Sequence, residues 1–222
     1  MASRSRAVPY VVPFAVFLAL IGLSHLWPLP ALTDEILRLA VMAAVLFWVA
    51  RPACNFQVRQ WGGSLLAGAL IFGLWIAPDL LFPGYRHSFL FNNAVVGTAQ
   101  SSLSEAARHD APVLFLRSLR AVIVVPIVEE LFWRGWLMRW TISNDFEQVP
   151  LGAYSALSFW AVALLFASEH GPYWDVGLMA GIVFNLWMIR TKSLGDLILA
   201  HAVANACLSG YVIAAGKWEY WL

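Results

Sequence analysis

The chain has 222 residues, 61% hydrophobic and only 12% charged, with a net charge of +1 and a mean hydropathy of +0.71. Soluble domains of this size carry about a quarter of their residues as charge, so this chain cannot cover a water-facing surface, and lipid is its natural solvent. The near-neutral balance also excludes a global basic field for nucleic acid.

A helical membrane span needs about 20 apolar residues, and seven apolar runs are read in chain order. The first, 8–27, follows Arg4 and Arg6 and is too long for a signal-peptide core, so it reads as an uncleaved helix. Trp27-Pro28-Leu29-Pro30 ends it. The second, 36–50, stops at Arg51-Pro52, and the third, 61–82, at Pro83-Gly84. The loop 85–110 has room for an eighth helix, and Ser102-x-x-Glu105 has the form of a capping box for a short interfacial helix through Arg108. A long fourth run, 112–140, is one helix or two pieces. The fifth, 151–168, ends before Gly171-Pro172; 174–189 and 194–215 complete the set. The expectation is an all-α polytopic membrane protein. About seven to eight transmembrane helices enclose a polar intramembrane cavity in a single integral membrane domain, 1–222.

Trp27, Trp61, Trp140, Trp174, Trp218 and Trp221 lie near run ends, which suits an interfacial aromatic belt. Cys54 and Cys207 lack metal-type spacing and read as free thiols. Arg4, Arg6, Arg51, Arg59, Arg139, Arg190 and Lys192 fall on one face, against Arg86, Arg108 and Lys217 on the other. The basic bias orients the N-terminus to the cytoplasm, and the expected location is a bacterial plasma (inner) membrane.

Ionisable residues deep in membrane helices are costly and are functional candidates by default. Three clusters qualify. In the first, Glu130 and Arg134 are i,i+4 with the acid N-terminal, the favourable order for an ion pair. Glu129, one residue earlier, points elsewhere and is left free. A low-dielectric site suits such a carboxylate to general-base work near neutral pH. In the second, Glu169-His170 stands just before the Gly171-Pro172 break. In the third, His201 and Asn205 are i,i+4 and share one helix face, offering two donors to a common point. Singly, these groups also read as an ion-pair network, a helix cap and interhelical glue. Together, one acid, two histidines and an amide are the parts for activating water and stabilising an oxyanion.

Glu-Glu-x-x-x-Arg at 129–134, Phe-x-x-x-His at 166–170 and His-x-x-x-Asn at 201–205, in that order, resemble the CAAX protease and bacteriocin-processing family. Its eukaryotic members are the type II CAAX prenyl endopeptidases. The likeness covers a motif-bearing core of about 112–215. It implies an intramembrane peptidase in which Glu129, helped by His170, activates water. His201 and Asn205 support the oxyanion, and Glu130 and Arg134 provide structural support.

The family is described both as a metalloprotease and as a metal-free glutamate enzyme, so the cofactor stays open. Zinc accepts two His and a carboxylate, here Glu129, His170 and His201, yet the local motif His-Glu-x-x-His is absent. Implied partners are membrane lipid and a peptide or lipidated-protein substrate, with no nucleic acid. Glu169 and Asn185 depart from the pattern, and Asn185 has no assigned role. Two rival readings are a non-catalytic membrane peptide-binding protein, with an immunity or adaptor role, and a proton-relaying transporter. The absence of inverted repeats counts against the latter. A rhomboid-type Gly-x-Ser is not evident, and Gly195-Asp196 lacks the Gly-x that precedes it in aspartyl intramembrane proteases.

A simple in-and-out count puts Glu129 near mid-membrane, His170 towards the outer side and His201 towards the cytoplasm. At about 1.5 Å per residue these depths differ by more than about 10 Å, so convergence demands a broken, tilted or re-entrant helix.

Overall fold

The computed structural model describes residues 2–54 and 56–222, with side chains from Arg6 onward; the side chain of Arg4 lies outside the described residues. Among the described residues seven helices account for the seven apolar runs. They are α1 (Ala2–Leu26), α2 (Ala31–Val45, running on through a π turn to Ala50), α3 (Trp61–Leu81), α4 (Ala111–Trp140), α5 (Ala156–Ser168), α6 (Trp174–Thr191) and α7 (Leu194–Ala215). Five stretches are long and apolar enough to cross a bilayer: Arg6–Leu26, Ala31–Ala53, Trp61–Leu81, Ala111–Trp140 and Leu194–Ala215. The chain is an all-α polytopic membrane protein.

Local chemistry sets the helix ends. The Asp110 carboxylate accepts from the Val113 amide to start α4, with Pro112 in the first turn. Ser155 caps α5 through the Ser158 amide, and Ser193 caps α7 through the Asp196 amide. At the other end of α7, Gly216 takes φ +65° to close the helix, a conformation in which a Cβ would be strained. Trp27, Trp61 and Trp140 lie exposed at helix ends, as an aromatic belt requires, whereas Trp221 is buried.

Two details of the sequence reading are corrected. The loop 85–110 contains no eighth helix, only 3-10 turns at Tyr85–His87 and Ala107–His109. The expected capping box is also absent. The Ser102 hydroxyl accepts from Arg117, and its amide donates to the Trp221 carbonyl, so tertiary partners have claimed the cap. Instead Ser104 accepts from the Ala107 amide.

The long fourth run is one continuous helix interrupted by π turns at Arg120–Val124 and Leu131–Leu137. Such bulges rotate the side chains that follow and recur at functional sites. At 30 residues, α4 is about 45 Å long, more than a bilayer core, and so must tilt.

The depth problem is resolved mainly by α5. It begins at Ala156 rather than near 151, because Gly152 (φ +72°) turns the chain against the α6 backbone at Met188 and Ile189. With 13 residues, α5 spans only about 20 Å, so it stops within the thickness of a bilayer and delivers His170 at the depth of Glu129. The space beyond its end is filled by the 85–110 loop and the C-terminal residues. Trp174 Nε1 donates to the Leu90 carbonyl, and Tyr173 Oη to the Glu219 carbonyl.

Arg86 ties this cap down. It donates to Asp79, Asp175 and the Pro172 carbonyl, and lies 4.1 Å over the Tyr173 ring. Burial opposes its charge, but the bonds to Asp175 and Asp79 outweigh burial and hold its pKa above the ordinary value.

Small residues allow the helices to close. Gly68 of α3 presses on the Ala200 carbonyl and Val203 of α7, and Gly181 of α6 faces Ala163 of α5. The resulting core joins Ile71, Val128, Phe166, Phe184, Leu197 and Ala204.

Candidate active site

Glu129 and Glu130 sit in the α-helical turn Val125–Glu130, between the two π turns of α4. Both are buried, Glu130 completely. Arg134, also fully buried, donates to both Glu130 oxygens at 3.2 Å. Its Nε donates to Asn185 Oδ1 at 2.9 Å, and another nitrogen reaches the Gly181 carbonyl at 3.4 Å. The guanidinium lies 4.6 Å from the Phe166 ring centroid and 5.2 Å from that of Phe184. Asn185 completes the knot by donating to the Phe159 carbonyl at 2.9 Å. A charge that would be ruinous alone in lipid is thus paired, hydrogen-bonded and enclosed by aromatic rings. Asn185, unassigned from sequence, joins α4, α5 and α6. Its signal was there to read: an amide in an apolar helix obeys the same rule that singled out the other candidates.

Glu130 has a second partner that helix spacing does not reveal. His201 of α7 donates Nδ1–H to Glu130 Oε1 at 2.8 Å. The other ring nitrogen, Nε2, stands 4.0 Å from Glu129 Oε2, beyond hydrogen-bonding distance. Glu129 Oε2 is buried and has no hydrogen-bond partner among the described residues.

His170 follows the last turn of α5. Its Nδ1 is 2.7 Å from the Phe166 carbonyl. A carbonyl can only accept, so Nδ1 carries the proton and Nε2 is left with its lone pair. The ring packs edge-on to Trp75 at 5.1 Å. Asn205 donates one N–H to the Ala121 carbonyl, inside the first π turn of α4, at 2.8 Å. His201 and Asn205 therefore each spend a donor on α4 and do not aim both at one point. Glu169 accepts from Trp133 Nε1 at 3.1 Å and does not line the cavity shared by the others.

That cavity has a volume of about 160 Å³ and brings together Glu129, His170, His201 and Asn205. Its remaining wall is apolar, with Ile71, Phe72 and Trp75 of α3 and Phe166 and Phe184 opposite. Polar groups with uncommitted atoms in an apolar enclosure of this size can hold and polarise a water beside a peptide carbonyl.

Zinc fits these residues poorly. Among the described residues no three His, Cys, Asp or Glu side chains converge as a ligand set, and Glu130 is taken up by Arg134 and His201.

Residues 111–207 match the model of a family described as Type II CAAX prenyl endopeptidase Rce1-like. No curated protein and no solved structure matches the chain. The matched stretch runs from the start of α4 to beyond Asn205 and includes Glu129, His170, His201 and Asn205 of the cavity. Through residues 111–207 the chain is similar to this Rce1-like family of proteases.

Proposed function

We propose that the chain is an intramembrane endopeptidase that hydrolyses peptide bonds of membrane-associated or lipid-anchored substrates with water activated by Glu129 and His170. The observation that carries this reading is the Glu129 carboxylate: buried, unpartnered at Oε2, and facing the same small cavity as His170 and His201. A purely structural acid at that depth would be paired, as Glu130 is.

In this reading a water sits between Glu129 and the lone pair of His170 Nε2. Its oxygen attacks the peptide carbonyl carbon as Glu129 takes a proton. Glu129 then passes that proton to the amide nitrogen as the carbon–nitrogen bond breaks. His201 and the remaining N–H of Asn205 stand beside the developing oxyanion. Glu130 fixes the His201 ring, and Arg134 keeps Glu130 in place, so the two act as positioning residues. The apolar wall suits a substrate that arrives from lipid, and the cytoplasmic N-terminus of a bacterial plasma membrane protein agrees with the basic short loops.

The test is hydrolysis of an internally quenched peptide bearing a prenylated cysteine near its carboxy terminus, by the full chain in liposomes. Cleavage by the wild type and its loss in Glu129→Gln are expected. Equal cleavage by both would make a membrane peptide-binding protein the better reading.

A further inference from the structure

We infer that Trp75 is a further substrate-binding residue of this cavity, its indole N–H donating to the carbonyl oxygen of the peptide bond that is cut. The inference rests on the hydrolase reading of the site. Trp75 belongs to α3 and lies outside the residues that match the family.

Trp75 lines the cavity with Glu129, His170 and Asn205. Two rings hold the indole: His170 against it at 5.1 Å and 69°, and Tyr173 stacked at 6.4 Å and 20°. Its Nε1 is buried and has no acceptor among the described residues. An indole nitrogen only donates, and a buried donor without an acceptor is rare and costly. Other tryptophans of the chain show how such donors are normally satisfied. Trp133 donates to Glu169, Trp174 to the Leu90 carbonyl and Trp187 to Ser64. Trp75 stands apart from them, and it does so at the cavity.

Two side chains lining this cavity therefore carry buried atoms without partners: an acceptor, Glu129 Oε2, and a donor, Trp75 Nε1. Hydrolysis of a peptide bond needs one of each. Water gives a proton to the acceptor, and the carbonyl oxygen takes a hydrogen bond from the donor as charge builds on it. The nearby polar groups have less to give. His201 Nδ1 is committed to Glu130, and one Asn205 N–H to Ala121. The indole keeps its proton throughout, because Glu129 alone carries the proton from water to the leaving nitrogen.

The experiment compares wild type, Trp75→Phe, and protein with benzothienylalanine at position 75, which keeps the bicyclic shape and replaces N–H by sulfur. Each is assayed in liposomes on the quenched prenyl-cysteine peptide, with Glu129→Gln alongside. A lost oxyanion donor should lower kcat about 10²-fold and leave KM within about threefold, at unchanged thermal stability for the isostere. A benzothienylalanine protein with wild-type kcat, or with only a raised KM, overturns the inference while the hydrolase reading stands, provided Glu129→Gln is inactive. If the wild type cleaves no faster than Glu129→Gln, the hydrolase reading fails and the role of Trp75 with it.

Discussion

His201 is held by Glu130 through one ring nitrogen, at 2.8 Å, and turns the other towards Glu129 across 4.0 Å. Two adjacent acids on one helix thus do different work around one imidazole. Glu130 orients it, while Glu129 keeps a free oxygen. If Glu130 orients His201, Glu130→Gln should lower kcat by more than it changes KM. It should also destabilise the fold, because a neutral amide pairs poorly with Arg134. Steady-state kinetics and a melting curve in detergent check both, and wild-type kcat would count against an orienting role.

Glu129→Gln should leave the fold intact, since the amide keeps the size of the acid and Oε2 has no hydrogen bond to lose among the described residues, yet reduce hydrolysis by about 10²–10⁴-fold, the usual worth of a general base. The check is a pair of measurements, thermal unfolding and single-turnover cleavage. Retained cleavage removes Glu129 from the mechanism.

Arg134→Ala strands the fully buried Glu130 carboxylate. Breaking one side of a buried ion pair costs about 3–5 kcal/mol, so the yield of folded protein should fall sharply. A normal melting temperature for this variant would show that Glu130 finds another partner.

Asn185→Leu removes an acceptor from Arg134 Nε and a donor from the Phe159 carbonyl. Each buried group left unsatisfied costs about 1–3 kcal/mol. Loss of stability without a matching change in KM is the expected pattern. An unchanged melting temperature would mean that water replaces the amide.

Chelators should leave hydrolysis unchanged, because the side chains around Glu129 do not form a ligand set. Full loss on chelation, restored by zinc, would point to ligation by Glu129, His170 and His201 after rearrangement.

Much of this was legible in the residues themselves. Low charge and long apolar runs dictated membrane helices, and the pairing of Glu130 with Arg134 follows from i,i+4 spacing, which any α-helix brings together. The unpaired state of Glu129 was also foreseeable, since no basic residue stands three or four positions away on its helix. What the sequence could not supply were relations between helices. His201 meets Glu130 across 71 residues, and Asn185 meets Arg134 across 51. Those meetings go with the π turns that rotate α4 and the close approach permitted at Gly68 and Gly181, as the delivery of His170 to the cavity goes with the late start of α5. Trp75 was hidden for the same reason: one tryptophan in an apolar run looks like any other until its neighbours show that its N–H has no partner. Helical periodicity fixes which residues share a face, but tilt, register and close packing decide which faces meet, and those are properties of the assembled bundle.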